Sequence, residues 1–278
     1  MREIRTDLID TYAALRFRSE YDYALFEYYR SPKVIAFLER AGVSIGGRVL
    51  DCGCGGGGMP LSFAEHAPHV VGIDPVDRFS DAGARLARER CLENLHFVRA
   101  DGMALPFTDG SFDLILSHAV IEHVARALEY LKECRRVLNA SGRMYLSTAP
   151  YLSFAGAHLP RLLVPIPLHL LLGRPIAFQT FRWLARRAPW TLREPRYENS
   201  FIRDAERGVV KHDDLLEKVR VRKLRELIAD AGLIIVQEQL AIIGTLRRMP
   251  PAIARYFRDN PLTQDVVLNN IEYVLARR

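Results

Sequence analysis

Between residues 48 and 150, short apolar runs alternate with stretches in which apolar residues recur every three or four positions. The apolar runs predict strands at 48–52, 69–74, 95–100, 112–118 and 142–150. The amphipathic stretches predict helices at 60–67, 76–90 and 122–138. Strands that alternate with helices predict a doubly wound, mostly parallel α/β sheet, which binds its ligands at the carboxyl ends of its strands.

The pattern on either side of this region predicts further elements. An aromatic-rich helix is predicted at residues 7–29. A second helix is predicted to follow, with Ser31 as its N-cap, Pro32 in its first turn and Gly42 at its end. Past residue 210, the sequence predicts a helix at about 213–230 capped by Asp213, and strands at about 233–243 and 266–276.

Composition supports a folded chain with a large core, because 49% of the 278 residues are hydrophobic. The first residues, MREIRTDLIDTY, lack the apolar run of a secretory signal, so we expect a reduced cytoplasmic location. Cys52 and Cys54 form a C-x-C pair, but no further Cys or His follows at zinc-site spacing. The sequence therefore predicts no metal site.

The net charge of +6 is concentrated in one segment. Residues 151–203 contain eight arginines and only two acidic residues, and charges balance in the rest of the chain. Such a local surplus argues against a broad nucleic-acid-binding surface and makes nucleic acid an improbable partner.

A glycine-rich loop follows the first predicted strand, with glycine at position 53 and at positions 55–58. It fits both G-x-G-x-x-G, the dinucleotide fingerprint, and D-x-G-x-G-x-G, which starts at Asp51. A carboxylate at Asp51 would repel a pyrophosphate but would attract an ammonium group. The second pattern is therefore favoured.

Two more carboxylates follow the next two predicted strands. Asp74 ends the second strand, where a carboxylate can accept both ribose hydroxyls, and Asp101 follows the third, where an acid can accept from the adenine amine. S-adenosylmethionine carries an ammonium group, a ribose and an adenine. An NAD-dependent dehydrogenase is a minor alternative, because NAD shares only the ribose and the adenine.

Four segments resemble the class I S-adenosylmethionine-dependent methyltransferases of the type 11 family: VLDCGCGGG, VVGIDP, FVRADGMALPFTDGSFDLILSHAVIEHV and LKECRRVLNASGRMYLSTAP. The resemblance implies a Rossmann-like, seven-stranded sheet with an antiparallel last strand, and S-adenosylhomocysteine as the product. It also implies the following cofactor-binding residues: Asp51, Gly53 and Gly55 for the methionine end, Asp74 and Pro75 for the ribose, Asp101, Gly102 and Met103 for the adenine, and Ser117 and His118 beside the reacting methyl group.

A hydroxyl acceptor benefits from a general base, and four side chains are candidates: His118, Glu122, His123 and His158. The Glu122–His123 pair resembles a recurrent structural element of the family at the start of a helix. The spacing H-x-x-x-E-H does not match the H-x-x-E-H metal signature. His118 lies nearest the expected ligand edge and is the preferred catalytic residue, with His158 and His123 as further candidates.

Residues 160–190 are apolar, proline-containing and arginine-rich, but their longest apolar run, 162–173, is too short to span a membrane. The segment fits a lid over an apolar pocket, an interfacial membrane contact, or a helical extension packed on the core. In the membrane interpretation, aromatic rings enter the lipid and cations meet phosphates, the side chains being Phe181, Trp183, Arg182, Arg186 and Arg187.

The sequence thus predicts methyl transfer from S-adenosylmethionine to a small-molecule or lipid-like acceptor, at oxygen, by in-line displacement. The alternatives are an RNA methyltransferase, disfavoured because SHAV stands where an N-P-P-Y-like tetrapeptide would, and a cofactor-binding scaffold without turnover. Four segments are expected: N-terminal helices at 1–46, the cofactor-binding core at 47–150, an inserted helical lid at 151–210, and the completion of the sheet at 211–278.

Overall fold

A computed structural model of the chain describes residues 4–15, 18–160, 162–164, 166–193, 208, 211, 213, 215 and 217–278. The strands are β1 (Arg48–Cys52), β2 (His69–Asp74), β3 (Leu95–Arg99), β4 (Phe112–His118), β5 (Leu138–Thr148), β6 (Leu233–Ile242) and β7 (Leu268–Arg277). The helices are α1 (Thr6–Leu15), α2 (Glu20–Arg40), α3 (Gly58–Ala64), α4 (Gly83–Glu89), α5 (Ala127–Val137), α6 (Leu168–Leu172), α7 (Arg174–Arg187), α8 (Val221–Asp230), α9 (Gly244–Arg247), α10 (Pro251–Asp259) and α11 (Gln264–Val267), with 3₁₀ turns at Ile121–His123 and Pro189–Thr191.

The seven strands form one sheet in the order β3-β2-β1-β4-β5-β7-β6. Strands β1 to β5 are parallel, and β7 runs antiparallel to both of its neighbours, β5 and β6. The predicted doubly wound, mostly parallel sheet with seven strands and an antiparallel last strand is confirmed. The parallel register brings the carboxyl ends of β1, β2, β3 and β4 to a single edge.

Each face of the sheet is covered by a separate apolar core. Helices α2, α3 and α4 cover one face with buried residues such as Leu38 and Phe63, and the Phe37 ring packs edge-on against Tyr145 of β5. Helices α5 and α8 cover the other face, where Tyr130 and Tyr273 are fully buried. Because neighbouring strand residues point to opposite faces, a central strand such as β1 contributes to both cores, with Val49 on one face and Leu50 on the other.

The N-terminal helices divide at a different place from the one predicted. Helix α1 ends at Leu15 and α2 begins at Glu20, with Ser19 as its N-cap, its Oγ accepting a hydrogen bond from the Asp22 amide at 3.0 Å. The predicted cap at Ser31 is wrong, since Ser31 and Pro32 lie inside α2, where Ser31 Oγ donates to the carbonyl of Glu27. Buried residues recur along α2 on both sides of the proline, so packing against the sheet outweighs the break that proline favours.

Three other helices are shorter than predicted. Helix α4 begins only at Gly83, because the Asp77 carboxylate accepts the Ser80 amide and holds the preceding residues in a turn. The predicted helix 122–138 consists of the first 3₁₀ turn followed by α5. Helix α8 starts at Val221, whose amide donates to Asp265 Oδ1 at 2.8 Å, and the predicted cap at Asp213 is wrong.

The inserted segment forms a small core of its own. Phe178, Phe181, Ala185 and Leu192 are buried together, and Leu162 bridges to Leu192. Residues 194–207 and 209–210 of the predicted lid lie outside the described residues, as do Arg161, Arg196 and Arg203 of its arginine set. Among the helices that the structure describes, none has the length and apolarity needed to cross a bilayer.

The insertion is fastened to the preceding loop by polar side chains. Arg174 is buried, with its Nε donating to the carbonyl of Ala157 at 3.1 Å and its Nη1 to the carbonyl of Lys211 at 3.1 Å. His169 Nε2 lies 3.2 Å from the carbonyl oxygen of Leu152. Arg174 therefore has a structural role, and it is not one of the arginines available to an external partner.

Candidate functional site

The glycine loop sits on the carboxyl end of β2. The amides of Gly53 and Cys54 both donate to the carbonyl of Ile73 at 2.8 Å, and the amide of Gly55 donates to Asp74 Oδ2 at 3.0 Å. Gly53, Gly55 and Gly57 have φ of +75°, +53° and +85°, a conformation that residues with a side chain rarely adopt. The loop thus wraps over the end of the sheet beside the Asp74 carboxylate.

The glycines of this loop serve different purposes. A Cβ on Gly58 would overlap the carbonyl oxygen of Ala24, and one on Gly57 would lie 2.7 Å from the Phe97 ring. These two glycines let α2 and β3 pack closely against α3. A Cβ on Gly55 would meet no atom of the described residues within 4 Å. Gly55 therefore faces the open side of the loop, where a ligand can approach the backbone.

Asp51 and Asp74 are both buried at this edge. Burial, reinforced by the negative charges of Glu27 and Asp74, raises the pKa of Asp51 well above its usual range. Asp74 Oδ1 accepts the amide of Val76 at 2.9 Å, so both Asp74 oxygens already position backbone amides. Pro75, the next residue, is exposed.

Helix α2 adds two charged side chains that the sequence analysis did not single out. Burial raises the pKa of Glu27 to about 7, although Arg30 opposes the shift from 3.2 Å away. The buried Nε of Arg30 has no hydrogen-bond partner among the described residues. The site therefore combines two poorly solvated carboxylates, Glu27 and Asp51, with one guanidinium that keeps hydrogen-bonding capacity.

The loop after β3 places Asp101 at the same edge. Asp101 is exposed, and its Oδ1 accepts the amide of Met103 at 2.8 Å. A Cβ on Gly102 would lie 2.8 Å from the ring of Tyr130, so this glycine allows the loop to approach α5. The Met103 side chain packs against the apolar core on that face.

Ser117 and His118 end β4 and face opposite sides of the sheet. Ser117 is buried and its Oγ accepts a hydrogen bond from the Tyr130 hydroxyl at 2.8 Å. The His118 ring stacks on Tyr145, with the Tyr145 hydroxyl 3.4 Å from Nδ1, and the same hydroxyl donates to Glu272 at 2.8 Å. Burial, helped by the positive charge of Arg30, lowers the pKa of His118 well below its usual value.

The other candidate bases come together at the ends of β4 and β5. Glu122 Oε2 accepts a hydrogen bond from Thr148 at 2.9 Å, and Oε1 lies 3.5 Å from Nε2 of His158. The rings of His123 and His158 have centroids 5.1 Å apart. Burial favours a raised pKa at Glu122, but the neighbouring His158 and His123 outweigh it, and the pKa of Glu122 lies below its usual value. This grouping joins Glu122 to a histidine 36 positions later in the chain, which spacing could not reveal.

The C-x-C cysteines and a nearby cavity lie apart from this polar edge. Cys52 and Cys54 are both buried but diverge, since Cys52 packs on the α5 face and Cys54 lies next to Gly72. A cavity of about 390 Å³ opens between α4 and β3, lined by residues such as Phe79, Arg88 and His96. None of the sequence-predicted site residues lines that cavity, so it does not form part of the polar edge.

Part of the chain is similar in sequence to known methyltransferases. Residues 50–146 match the family model Methyltransf_11, described as a methyltransferase domain. The chain is 32% identical to the uncharacterized methyltransferase YcgJ of Bacillus subtilis over 151 residues, which are 50% of this chain and 60% of that protein. The similarity to YcgJ therefore leaves a substantial part of both chains unmatched.

Two solved structures share the fold across most of the chain. An S-adenosylmethionine-dependent methyltransferase from Mesorhizobium loti has a TM-score of 0.54 at 20% identity, covering 87% of this chain and 96% of that one. The [4+2]-cyclase SpnF has a TM-score of 0.54 at 18% identity, covering 90% of this chain and 81% of that one. At these identities the similarity shows a common fold.

Proposed function

We propose, from the premise that residues 50–146 are a class I methyltransferase domain of the type 11 family, that the chain transfers the methyl group of S-adenosylmethionine to oxygen of a small-molecule or lipid-like acceptor. The observation that supports this most directly is the row of Asp51, Asp74 and Asp101 along one edge of the sheet, with the open Gly55 between them. A ligand with an ammonium group, a ribose and an adenine matches that row.

The methionine end of the donor is assigned to the α2 side of the loop. Its ammonium group would restore the ionised forms of Asp51 and Glu27, whose carboxylates are otherwise poorly solvated. Its carboxylate would accept from the buried Nε of Arg30. Gly53 and Gly55 would allow the donor chain to pass close to the backbone.

The nucleoside is assigned to the ends of β2 and β3. Each Asp74 oxygen accepts one backbone amide and keeps a lone pair for a ribose hydroxyl, with Pro75 beside it. The adenine would lie against Asp101, Gly102 and Met103. Ser117 and His118 would border the sulfonium and its methyl group.

The transfer breaks the S–CH₃ bond as the acceptor oxygen forms its new bond, leaving S-adenosylhomocysteine and releasing the hydroxyl proton. The sulfonium is already an electrophile, so the main task of the chain is to hold the acceptor in line, which contributes about 7–11 kcal/mol in well-oriented reactions. His118 is assigned as the proton acceptor, because its lowered pKa keeps the imidazole neutral at pH 7. His158 and His123 are the alternative candidates.

A lipid-like acceptor is supported by the surface of the inserted segment. Large apolar side chains are exposed there: Leu163, Val164, Ile166, Leu170, Leu171, Leu172, Ile176, Trp183 and Trp190. The amide of Leu163 donates to the carbonyl of Thr191, which brings the two ends of this surface together. We assign it to contact with a membrane surface, with the exposed Arg186 and Arg187 beside lipid phosphates. Phe181, expected to enter the lipid, is instead buried in the core of the insertion.

Calorimetry separates the donor from its competitor. S-adenosylhomocysteine should bind, whereas NAD⁺, which lacks the ammonium group, should not. Asp74→Asn should weaken S-adenosylhomocysteine about 100-fold, because two hydrogen bonds to a charged group contribute about 3 kcal/mol. Asp77→Asn, in the exposed turn nearby, is the matched control.

A 2′-deoxyribose analogue of S-adenosylhomocysteine tests the ribose assignment itself. The wild type should bind the analogue more weakly than it binds S-adenosylhomocysteine. Asp74→Asn should bind the two ligands with similar affinity, since the partner of that hydroxyl is already removed. Equal losses in both proteins would contradict the assignment of Asp74 to the ribose. No heat with S-adenosylhomocysteine would remove the proposed donor altogether.

Turnover is measured with methyl-labelled donor and separate pools of membrane lipid, water-soluble hydroxylated compounds and RNA. Label recovered in the lipid fraction supports the proposed acceptor class. Label in the aqueous compounds alone contradicts the lipid-like acceptor, and label on RNA supports the RNA methyltransferase. Donor binding without label in any pool supports a cofactor-binding scaffold.

A further inference from the structure

Glu122, His123 and His158, here called the Glu–His–His cluster, present one carboxylate and two imidazoles to a common point. One ligand atom from each side chain lies within 4.8 Å of the others. The cluster combines the first 3₁₀ turn, which follows β4, with the loop that follows β5. It therefore lies at the carboxyl edge of the sheet, one turn of chain beyond His118.

The buried carboxylate of the cluster is half satisfied. The Glu122 side chain is 5% exposed, and Oε2 is held by the Thr148 hydroxyl. Oε1 has no hydrogen-bond partner among the described residues, and its nearest ion-pair partner, Nε2 of His158, stands 3.5 Å away. A buried carboxylate oxygen without a hydrogen bond keeps an uncompensated cost of desolvation. A cation at this point would compensate for it.

The chemistry of the ligands identifies the class of cation. Two imidazoles and one carboxylate suit Zn²⁺, Mn²⁺, Fe²⁺ or Co²⁺ better than Mg²⁺ or Ca²⁺, which prefer oxygen ligands only. Three protein ligands leave coordination positions open. His123 is exposed and the His158 side chain is 33% exposed, so an ion and a further ligand can reach the cluster from solvent.

We propose that the Glu–His–His cluster binds a divalent transition-metal ion, and that the acceptor oxygen completes its coordination during methyl transfer. The second half of this proposal rests on the proposed function. The ion would act as a Lewis acid on the acceptor hydroxyl and lower its pKa, so that the hydroxyl proton would pass more readily to the neutral imidazole assigned as proton acceptor, His118, as the oxygen attacks the methyl group. The sequence did not reveal this cluster, because His123 and His158 are far apart in the chain. The histidine that begins the H-x-x-x-E-H pattern, His118, lies outside the cluster.

Cobalt is the probe for the site, because its visible absorption reports on the ligands. Chelator-treated protein titrated with Co²⁺ should show one equivalent bound, with d–d bands and without the thiolate charge-transfer band that Cys91 or another cysteine would give. Glu122→Gln and His123→Ala should each weaken Co²⁺ at least 30-fold. The Gln variant keeps the hydrogen bond from Thr148, and it should retain the fold.

His69 and His96 provide a matched control. Their exposed rings lie 5.4 Å apart with an interplanar angle of 47°, close to the 5.1 Å and 48° of His123 and His158, but the metal-capable groups of the described chain do not include them. His69→Ala with His96→Ala should leave Co²⁺ affinity unchanged. His158→Asn serves as the third ligand variant, because the asparagine tolerates the positive φ of that position.

Binding of S-adenosylhomocysteine to every variant checks that the protein is folded. Absence of Co²⁺ absorption in the wild type, or equal affinity in the wild type and the cluster variants, overturns the metal site and leaves Glu122 as an ion-pair partner of His158. If Co²⁺ binds as expected but no methyl label is transferred to any acceptor, the metal site stands and the proposed function fails. If label is transferred equally with and without chelator, the role of the ion in the reaction is excluded.

Discussion

The glycine loop and the inserted segment differ in how their residue types relate to structure. In the loop, the glycines meet local backbone requirements: a positive φ at Gly55, close approach of Ala24 at Gly58, and a positive φ together with close approach of the Phe97 ring at Gly57. In the insertion, large apolar side chains such as Leu171 and Trp183 remain exposed, although Phe178 and Phe181 in the same segment are buried. The loop is specified by its contacts within the chain, whereas the surface of the insertion is not.

This difference shows which residues are accounted for by contacts within the fold and which call for an external partner. Closely packed glycines are explained by the fold itself, so they are weak evidence for a ligand. An apolar surface that the fold leaves exposed has no such explanation, and large exposed patches mark interaction sites. Within the loop the same argument singles out Gly55, whose conformation is fixed but whose outer side is open.

The largest expected effect tests the packing role of the loop. Gly58→Ala should lower the free energy of unfolding by about 3 kcal/mol, because the new Cβ would overlap the carbonyl oxygen of Ala24 and force α2 away from α3. Gly244→Ala is the control, since a Cβ there meets no described atom within 4 Å, and it should change stability by less than about 0.5 kcal/mol. Urea denaturation measures both. Equal stability of the two variants would contradict the packing explanation.

The next effect tests the charge of the site through pH. Because the folded-state pKa of Glu27 is raised to about 7, the folded protein retains a proton that the unfolded chain releases above about pH 4.5. Wild-type stability should therefore fall between pH 4.5 and pH 7, by on the order of 2–3 kcal/mol. Asp51, whose pKa is also raised, adds to the fall, so Glu27→Gln should make the slope shallower rather than abolish it, and should be the more stable protein at pH 8. Glu39→Gln, on the exposed face of the same helix, should preserve the wild-type slope.

A smaller effect should separate the insertion from the core. Arg174→Ala leaves the carbonyls of Ala157 and Lys211 without their donor and should destabilise the insertion locally by about 2 kcal/mol. Hydrogen exchange should rise in α6 and α7 while binding of S-adenosylhomocysteine stays unchanged. Arg187→Ala, an exposed arginine of α7, is the control. A loss of donor binding in Arg174→Ala would show that the insertion supports the donor site directly.

The smallest effect tests the exposed apolar surface. Trp183 is 60% exposed, and Trp183→Ser should weaken sedimentation with anionic phospholipid vesicles about tenfold, since burial of an aromatic side chain contributes about 1.5–3 kcal/mol when complete. Tyr256→Ser removes an aromatic ring with 64% exposure from α10, and should leave vesicle binding unchanged. Equal binding of both variants would contradict membrane contact through the insertion and favour a lid or a simple helical extension.

The sequence predicted the parallel sheet and the acidic residues at its edge because both depend on local patterns. Apolar runs locate the strands, and Asp51, Asp74 and Asp101 follow directly from the strand ends. Helix ends were less well predicted, because side chains distant in sequence decide them, as Asp265 does for Val221. Glu27 and Arg30 were missed for the same reason. The periodicity of a helix shows which of its positions are polar, but it does not show that α2 packs beside the glycine loop.

The hydrogen bond from Tyr145 to Glu272 joins residues 127 positions apart, with the whole insertion in the intervening chain. Closing so long a loop disfavours folding only logarithmically in its length, with each doubling adding about 0.6 kcal/mol. Lengthening or shortening the segment between β5 and β6 should thus change the stability of the sheet very little. This connection is consequently a place where a segment of different length or sequence can be accommodated while the strand order is kept.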